Sequence, residues 1–400
     1  MAEGGPLAGL RVIELGVLIA GPFAGRMLAD FGAEVIKVEA PGRGDPLREW
    51  GVHRHEERAL WWPVQARNKK LVTLDLRKPE GQELVRRLAA KADVVVENFR
   101  PGTLEEWGLG PDRLLAVNPN LVLARISGYG QTGPYARRAG FAVAGEAIGG
   151  LRYLNGNPGE VPPRLGVSLG DSLAALFAVQ GILLALHHRD QGGGGQVVDA
   201  SIMESCFQML DSVVPEYGKL GVVREPTGSR IGHAAPSNVY RARDGVLVAI
   251  GANSDALWQR LCAVMERPDL AADEGLKHDR GRLERSGEID AEIAAWVADR
   301  DGAEVDRRLN EAGVVCGPVY SIADIFADPQ YAAREMLLRV ATAEQGEVVM
   351  PGISPKLSET PGSVRWPGSW ELGRNNQEVY GDLLGIAPEE LARLREEMVI

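Results

Sequence analysis

The first half of the chain alternates short apolar runs with longer runs of helical spacing. LRVIEL (10–15), EVIKVEA (34–40), KLVTLDL (70–76), DVVVENF (93–99) and NLVLARIS (120–127) have the length and β-branched content of strands. Between them, GPFAGRMLADFGA (21–33), PEGQELVRRLAAKA (79–92) and a stretch near 111–117 read as helices, the first with proline near its first turn. Strands separated by helices of this length pair in parallel through right-handed crossovers. The pattern therefore predicts an α/β fold with a doubly wound parallel sheet.

PRLGVSLGDSLAALFAVQGILLALHHRDQGGGGQVVD (163–199) contains an apolar helix over 171–189, a glycine turn and a short strand, with another helix after it. The texture then loosens over 215–235 into a linker or active-site loop. NVYRARDGVLVAIGA (238–252) reads as a β-hairpin turning at Asp244-Gly245. Helical patterns near 254–266 and 288–312 and the strand VVCGPVYS complete a smaller α+β unit. Helical IADIFADPQYAAREM, a Pro/Gly-rich coil (351–371) and a charged helix (388–398) close the chain.

Composition narrows the function. Of 400 residues, 45% are hydrophobic and 25% charged, which is ordinary globular protein. A net charge of −11 argues against a nucleic-acid binder, although a local cluster of Lys and Arg still suits a small anion. Cys206, Cys262 and Cys316 form no CxxC pair, and Cys206 and Cys262 lie in helical patterns where a thiol is usually buried. The six histidines show no metal-ligand spacing, so no metal is expected. The N-terminus has Glu3 and no basic segment before its apolar stretch, unlike a signal peptide. The apolar run Leu173–His187 is too short to span a bilayer and contains Gln180. A soluble, cytoplasmic protein without membrane or disulfides is the expectation.

Two glycine-rich motifs carry little. GYGQTG (128–133) follows a strand, but no sustained helical stripe opens after it to hold a pyrophosphate. QGGGGQ (191–196) lacks the GK[ST] ending of a phosphate loop. Asp171 is different in kind. An aspartate before an apolar helical run is first of all a cap. A helix N-terminus also favours a carboxylate in its charged form, and Gly166 and Gly170 leave it approachable, as covalent carboxylate catalysis requires.

Several stretches together follow one family pattern: LAGLRVIELGVLIAGPFAGRMLADFGAEVIKVEAPGRGDPLR, NKKLVTLDLRKPEGQELVRRLAAKADVVVENFRPGTLEEWGLG, ISGYGQTGPYARRAGF, LGDSLAALFAVQGILLAL and GGQVVDASIMES. The chain resembles the class III coenzyme A transferases (CaiB/BaiF), densest over residues 7–205 and continuing through the small unit. The resemblance implies that Asp171 attacks an acyl-CoA thioester and passes through an aspartyl anhydride and an aspartyl-CoA thioester. Coenzyme A and acyl-CoA are then substrates, a carboxylic acid is the second one, and no cofactor is held permanently. It also implies CoA contacts at Ile19, Ala20, Leu74, Asp75, Arg77, Asn98, Phe99, Arg100 and Phe141, with Arg138 just outside the last segment.

By the same resemblance, residues 1–210 and 326–400 form the large CoA-binding domain, 211–224 a linker and 225–325 the small domain. Two copies interlock as a homodimer. Ile19 stands where formyl-CoA transferase has glutamine, and Ala40 and Glu106 where it has arginines, leaving Arg43 to help clamp CoA. AAPSNVYRARDGVLVAIGAN is most similar to members using dicarboxylates, with Arg48, Arg164, Arg230 and His233 as cations for a distal carboxylate. The related α-methylacyl-CoA racemases carry a histidine where this chain has Phe141. Racemisation and a non-catalytic CoA-binding role are the alternatives at this point.

Overall fold

A computed structural model describes residues 4–400; Met1–Glu3, part of the stretch read above as lacking a leader, lie outside the described residues. The chain divides into a large unit, Met1–Leu151, Leu165–Pro215 and Ala332–Ile400, and a small unit, Arg152–Arg164 and Glu216–Tyr331.

In the large unit, β1 (Arg11–Glu14), β2 (Glu34–Glu39), β3 (Lys69–Thr73), β4 (Val94–Glu97), β5 (Val122–Ser127) and β6 (Val197–Ser201) form one sheet in the order β3-β2-β1-β4-β5-β6. Every pairing is parallel; Val12, for example, stands opposite Val35 on one side and Val94 on the other. From β1 the chain first builds one way and then the other, so a crevice opens between β1 and β4 at their carboxyl ends.

Alternate strand residues feed two cores, one on each face of the sheet. Ile13, Ile36, Val72, Val95 and Leu123 pack beneath α2 (Pro79–Ala89), α3 (Pro111–Val117) and the C-terminal segment, including Tyr380, Leu391 and Ile400. Val12, Val35, Val94, Val122 and Ala124 pack against α1 (Ala20–Asp30) and three later helices: α4 (Ala142–Ile148), α5 (Leu169–Asp190) and α6 (Ile202–Gln208). The C-terminal helix Pro388–Glu396 thus closes a core begun at residue 13.

Between the sheet and α1 lies a buried cluster of charges. Lys37 Nζ reaches Glu14 at 3.1 Å and Asp45 at 2.7 Å, and Lys69 Nζ reaches the other oxygen of Glu14 at 2.7 Å. Each lysine also donates to a backbone oxygen, Lys37 to Gly16 at 2.8 Å and Lys69 to Pro22 at 2.7 Å. Asp45 accepts the N–H groups of Leu18 and Leu47. Leu18 sits at φ 63°, a strained backbone state for a leucine that these bonds hold in place. Gly25 of α1 crosses above; a Cβ there would stand 1.8 Å from Glu14 Oε2. Burial acts to lower the pKa of Lys37, but Asp45, Glu14 and Glu39 outweigh it and raise the value above the ordinary lysine range. Burial pulls Lys69 down to about 8, only partly opposed by Glu14.

α5 is longer than the apolar run read from the sequence. By length and composition it is apolar enough to cross a membrane, yet 44% of its apolar stretch is buried. Ala174, Ala178, Ile182 and Ala185 pack on the sheet, and Gly181 lets the helix touch β6, where a Cβ would stand 2.5 Å from Val198. Its other side carries Leu176, Leu183 and Leu184, all exposed.

Two stretches differ from the sequence reading. Residues 211–224, read as a linker, carry the helix α7 (Val213–Leu220), whose apolar positions Val213, Val214, Tyr217 and Leu220 keep helical spacing despite Pro215 and Gly218. Within the region read as helix followed by coil, a hairpin pairs Leu337–Thr342 with Gly346–Pro351. Gly346 at φ 66° ends its short loop, and Thr342 Oγ1 accepts the Gln345 N–H.

The small unit is a three-stranded antiparallel sheet, β7 (Ser237–Arg241), β8 (Leu247–Gly251) and β9 (Val315–Pro318), with β8 in the middle. The predicted hairpin is β7–β8, turning at Asp244-Gly245. Trp258, Ile293, Val297 and Leu309 from α8 (Asp255–Val264), α9 (Ser286–Ala298) and α10 (Gly302–Glu311) bury against it. Cys206 and Cys262 are buried, and all three cysteines are free thiols.

Lys69 yields a stability prediction. Its folded pKa of about 8 lies below its unfolded value, so between about pH 8 and 10.5 the unfolded chain binds more protons and the native state gains stability as pH rises. Chemical denaturation of wild type and Lys69→Met across pH 8–10 checks this. The stability gap is expected to widen with pH, by roughly 1 kcal/mol per pH unit near pH 9.

Candidate active site

The expected CoA contacts gather on loops at the carboxyl ends of the strands, within the large unit. Ile19 and Ala20 open α1, and the Asn98 side chain spans from β4 to the loop before them. Its Oδ1 accepts the Val17 N–H at 2.7 Å and its Nδ2 donates to Val17 O at 2.9 Å. Gly16 and Gly21 let the two backbones meet; a Cβ on Gly21 would stand 2.8 Å from Gly16 Cα. This loop is the one held from below by Lys37 and Asp45. Arg100 follows on the β4 side, exposed and without an ion-pair partner among the described residues.

The other contacts fare differently. Leu74, Ile19 and Ala20 are buried. Phe99 packs edge-to-face on Trp107, ring centroids 5.1 Å apart, as part of the core. Arg77 is exposed but forked onto Asp75, Nε to Oδ1 at 2.9 Å and Nη2 to Oδ2 at 2.8 Å, so those two nitrogens are already engaged. Arg138 is exposed with its guanidinium 3.6 Å above the Tyr135 ring. Phe141 is 69% exposed and stands at the N-terminal cap of α4. The GYGQTG loop is not followed directly by a helix. Gly128 instead lies against Gly140, where a Cβ would be 2.8 Å from the neighbouring Cα.

Arg48, one of the cations considered for a distal carboxylate, is buried. It forks onto Glu39, donates to Trp370 O and lies 4.0 Å over the Trp62 ring. Its guanidinium is committed to the fold.

Asp171 is not the helix cap. α5 begins at Leu169 with Ser168 in the cap position, which places Asp171 third in the helix, partly exposed in its first turn. The cap expectation fails because the helical backbone starts earlier than the apolar periodicity. The carboxyl end of α5 lies at the foot of the sheet, where Arg189 bonds Asp93 ahead of β4 and Gly195 bonds Pro119 ahead of β5. Its N-terminus, with Asp171, therefore sits at the end where the strands finish.

A second carboxylate, unforeseen in the sequence, shares this terminus. Buried Glu146 of α4 accepts the Gly170 N–H at 3.0 Å through Oε1. The approach is close because Gly170 lacks a side chain; a Cβ would stand 2.8 Å from Ile202 and 3.0 Å from Glu146 Cγ. Gly145 and Gly149 likewise press α4 onto α6. Beneath them, burial pushes the Cys206 thiol up to about 11, with the charges of Glu146 and Asp171 adding to the effect. One signal was available: Glu146 is the sole charged residue in the small and apolar stretch FAVAGEAIGG. A lone carboxylate there needs a partner inside.

A carboxylate in the first turn of a helix, a second carboxylate beside it and a crevice at the sheet's reversal point agree with the resemblance above. Comparison with known proteins decides the family. The pattern of CoA-transferase family III matches residues 7–376. The chain belongs to CoA-transferase family III.

It is 50% identical to the succinyl-CoA–D-citramalate CoA-transferase of Chloroflexus aurantiacus, over 99% of this chain and 98% of that one. It is 46% identical to the α subunit of the succinyl-CoA–L-malate CoA-transferase of the same organism, over 99% of this chain and 92% of that one. A crystal structure of a CaiB/BaiF family protein from Brucella suis superimposes with a TM-score of 0.84 at 32% identity, covering 95% of this chain and all of that one. The resemblance read from the sequence is borne out, and the protein is a family III CoA-transferase.

In this transferase, Glu146→Ala would leave the Gly170 N–H buried without its acceptor. The expected cost is about 1–3 kcal/mol in urea denaturation, mostly recovered by Glu146→Gln, whose amide oxygen accepts the same bond.

Proposed function

We propose that the enzyme moves coenzyme A from a dicarboxylyl-CoA donor, succinyl-CoA or a near relative, to a second carboxylic acid, with Asp171 as the covalent relay. One observation carries the reading: Asp171 lies in the first turn of α5, is not needed as its cap, and follows Gly166, which leaves space for a substrate, whereas Gly170 is packed against Ile202 and Glu146. Nothing lies within 4 Å of where a Cβ on Gly166 would stand. The helix N-terminus favours the ionised form that attacks.

The Asp171 carboxylate adds to the thioester carbonyl and expels CoA thiolate, leaving a mixed anhydride. The thiolate attacks the aspartyl carbonyl of that anhydride, giving aspartyl-CoA thioester and releasing the donor acid. The acceptor carboxylate attacks this thioester, and the freed thiolate then attacks the acceptor's acyl carbonyl. A new acyl-CoA leaves with Asp171 restored. The overall reaction exchanges one thioester for another of similar energy, so the groups required are carboxylates and a thiolate.

The backbone of Ile19 and Ala20, the Asn98-held loop and Arg100 are the proposed CoA-binding elements. Arg100 suits phosphate because no carboxylate among the described residues already holds it. Phe141 offers no base for an α-proton, which favours transfer over racemisation. The identity to citramalate and malate transferases supports a dicarboxylate pair. The exposed leucines of α5 support an interlocked homodimer, and three free thiols support a reducing cytoplasm.

Incubation with succinyl-CoA, hydroxylamine trapping and peptide mass spectrometry test the relay. The wild type is expected to carry the hydroxamate on the peptide containing Asp171. Asp171→Ala is expected to lose the adduct and at least about a thousandfold in exchange rate. Full exchange by that variant would refute the proposal.

A further inference from the structure

Of the four cations considered for a second substrate carboxylate, Arg48 is buried in the large unit, and Arg164 and His233 are exposed. Arg230 is different. It lines a cavity of about 250 Å³ lying wholly within the small unit, with Ile231, Pro236, Leu283, Ser286 and Pro158 among its walls. That volume is below the range usual for drug-sized ligands, so it suits a small acid and not a nucleotide.

The guanidinium is held in place by one edge. Arg230 Nε lies 2.7 Å from Asp290 Oδ2. Asp290, buried, is itself fixed by the Tyr240 hydroxyl at 2.6 Å and by Asn238 Nδ2 at 3.0 Å. Neither terminal nitrogen of Arg230 donates a hydrogen bond to a described residue. The loop that carries it is also tied down: Thr227 Oγ1 donates to Arg230 O at 2.8 Å, and the Gly228 N–H donates to Gly156 O at 2.9 Å. Gly228 turns there at φ 67°, a conformation that suits glycine. The result is a cation braced by a buried carboxylate, with its two terminal nitrogens left for a ligand.

We propose that this cavity takes one carboxylate of a four- or five-carbon dicarboxylic acid. The terminal nitrogens of Arg230 form its bidentate partner, Asp290 acts as a positioning residue, and Ile231 and Leu283 line the space for the carbon chain. This inference rests on the transferase reading above for the class of acid. A planar fork facing a carboxylate is the pairing arginine makes best.

The test uses the full chain and compares the binding of succinate with that of its monoacid counterpart, butyrate, by calorimetry. Arg230→Met is expected to weaken succinate binding by about tenfold or more, so that preference over butyrate collapses. Arg230→Lys, which keeps the charge without the fork, is expected to fall between, and its thermal midpoint reports folding independently. Calorimetry with succinate separates this inference from the relay chemistry. Asp171→Ala should still bind succinate, and Arg230→Met in that background should not. Unchanged succinate binding in both folded Arg230 variants would overturn the proposal, as would tighter binding of inorganic phosphate than of succinate. Failure of exchange in the wild type, with Arg230-dependent succinate binding intact, would instead count against the transferase reading.

Discussion

The geometry at the sheet's reversal point depends on a cluster of charges sealed beneath it. Glu14, Lys37, Asp45 and Lys69 balance in number, two of each sign, and all but Glu14 also bond the backbone. The lysines also hold the oxygens of Gly16 and Pro22, and Asp45 holds the N–H of Leu18. Such clusters are poor sources of stability, because desolvation offsets most of the attraction. Their value here is positional. The backbone from Gly16 to Pro22 is set by groups that lose several kcal/mol if they let go. Asn98 closes the same loop from the adjacent strand, so one short segment is determined from two sides.

The strands and crossover helices were legible because their apolar runs are long and their spacing clean, as in DVVVENF and NLVLARIS. The buried charges were not. In EVIKVE, alternation of apolar and charged residues suggests a strand with one wet face, whereas this sheet is covered on both. Lys37 and Glu39 therefore had to find partners inside, and those partners come from β1 and from the loop holding Asp45 and Arg48. Pairings of that kind appear only once the strand order is known.

The candidate site shows the same division. Asp171 was visible because an acid stands before a long apolar run. Glu146 was not singled out, because the short helix that carries it is defined by packing through Gly145, Gly149 and Gly170 and not by periodicity. The hairpin over 337–351 escaped because its loop lacks a two-residue turn signature. Arg230 illustrates the limit most clearly. In sequence it was one of four equivalent cations; Asp290, sixty residues on, is what separates it from the rest.

The placement of Asp171 inside α5, with Glu146 taking the Gly170 N–H, has a consequence for the catalytic cycle. In the proposed reaction the aspartate loses its charge once per turnover and stays neutral through two anhydrides and a thioester until the last step restores it. A helix whose beginning relied on that charge would loosen each time. Here a neighbouring acid that never reacts keeps the terminus occupied, so the scaffold holds steady while its reactive group is repeatedly neutralised and renewed.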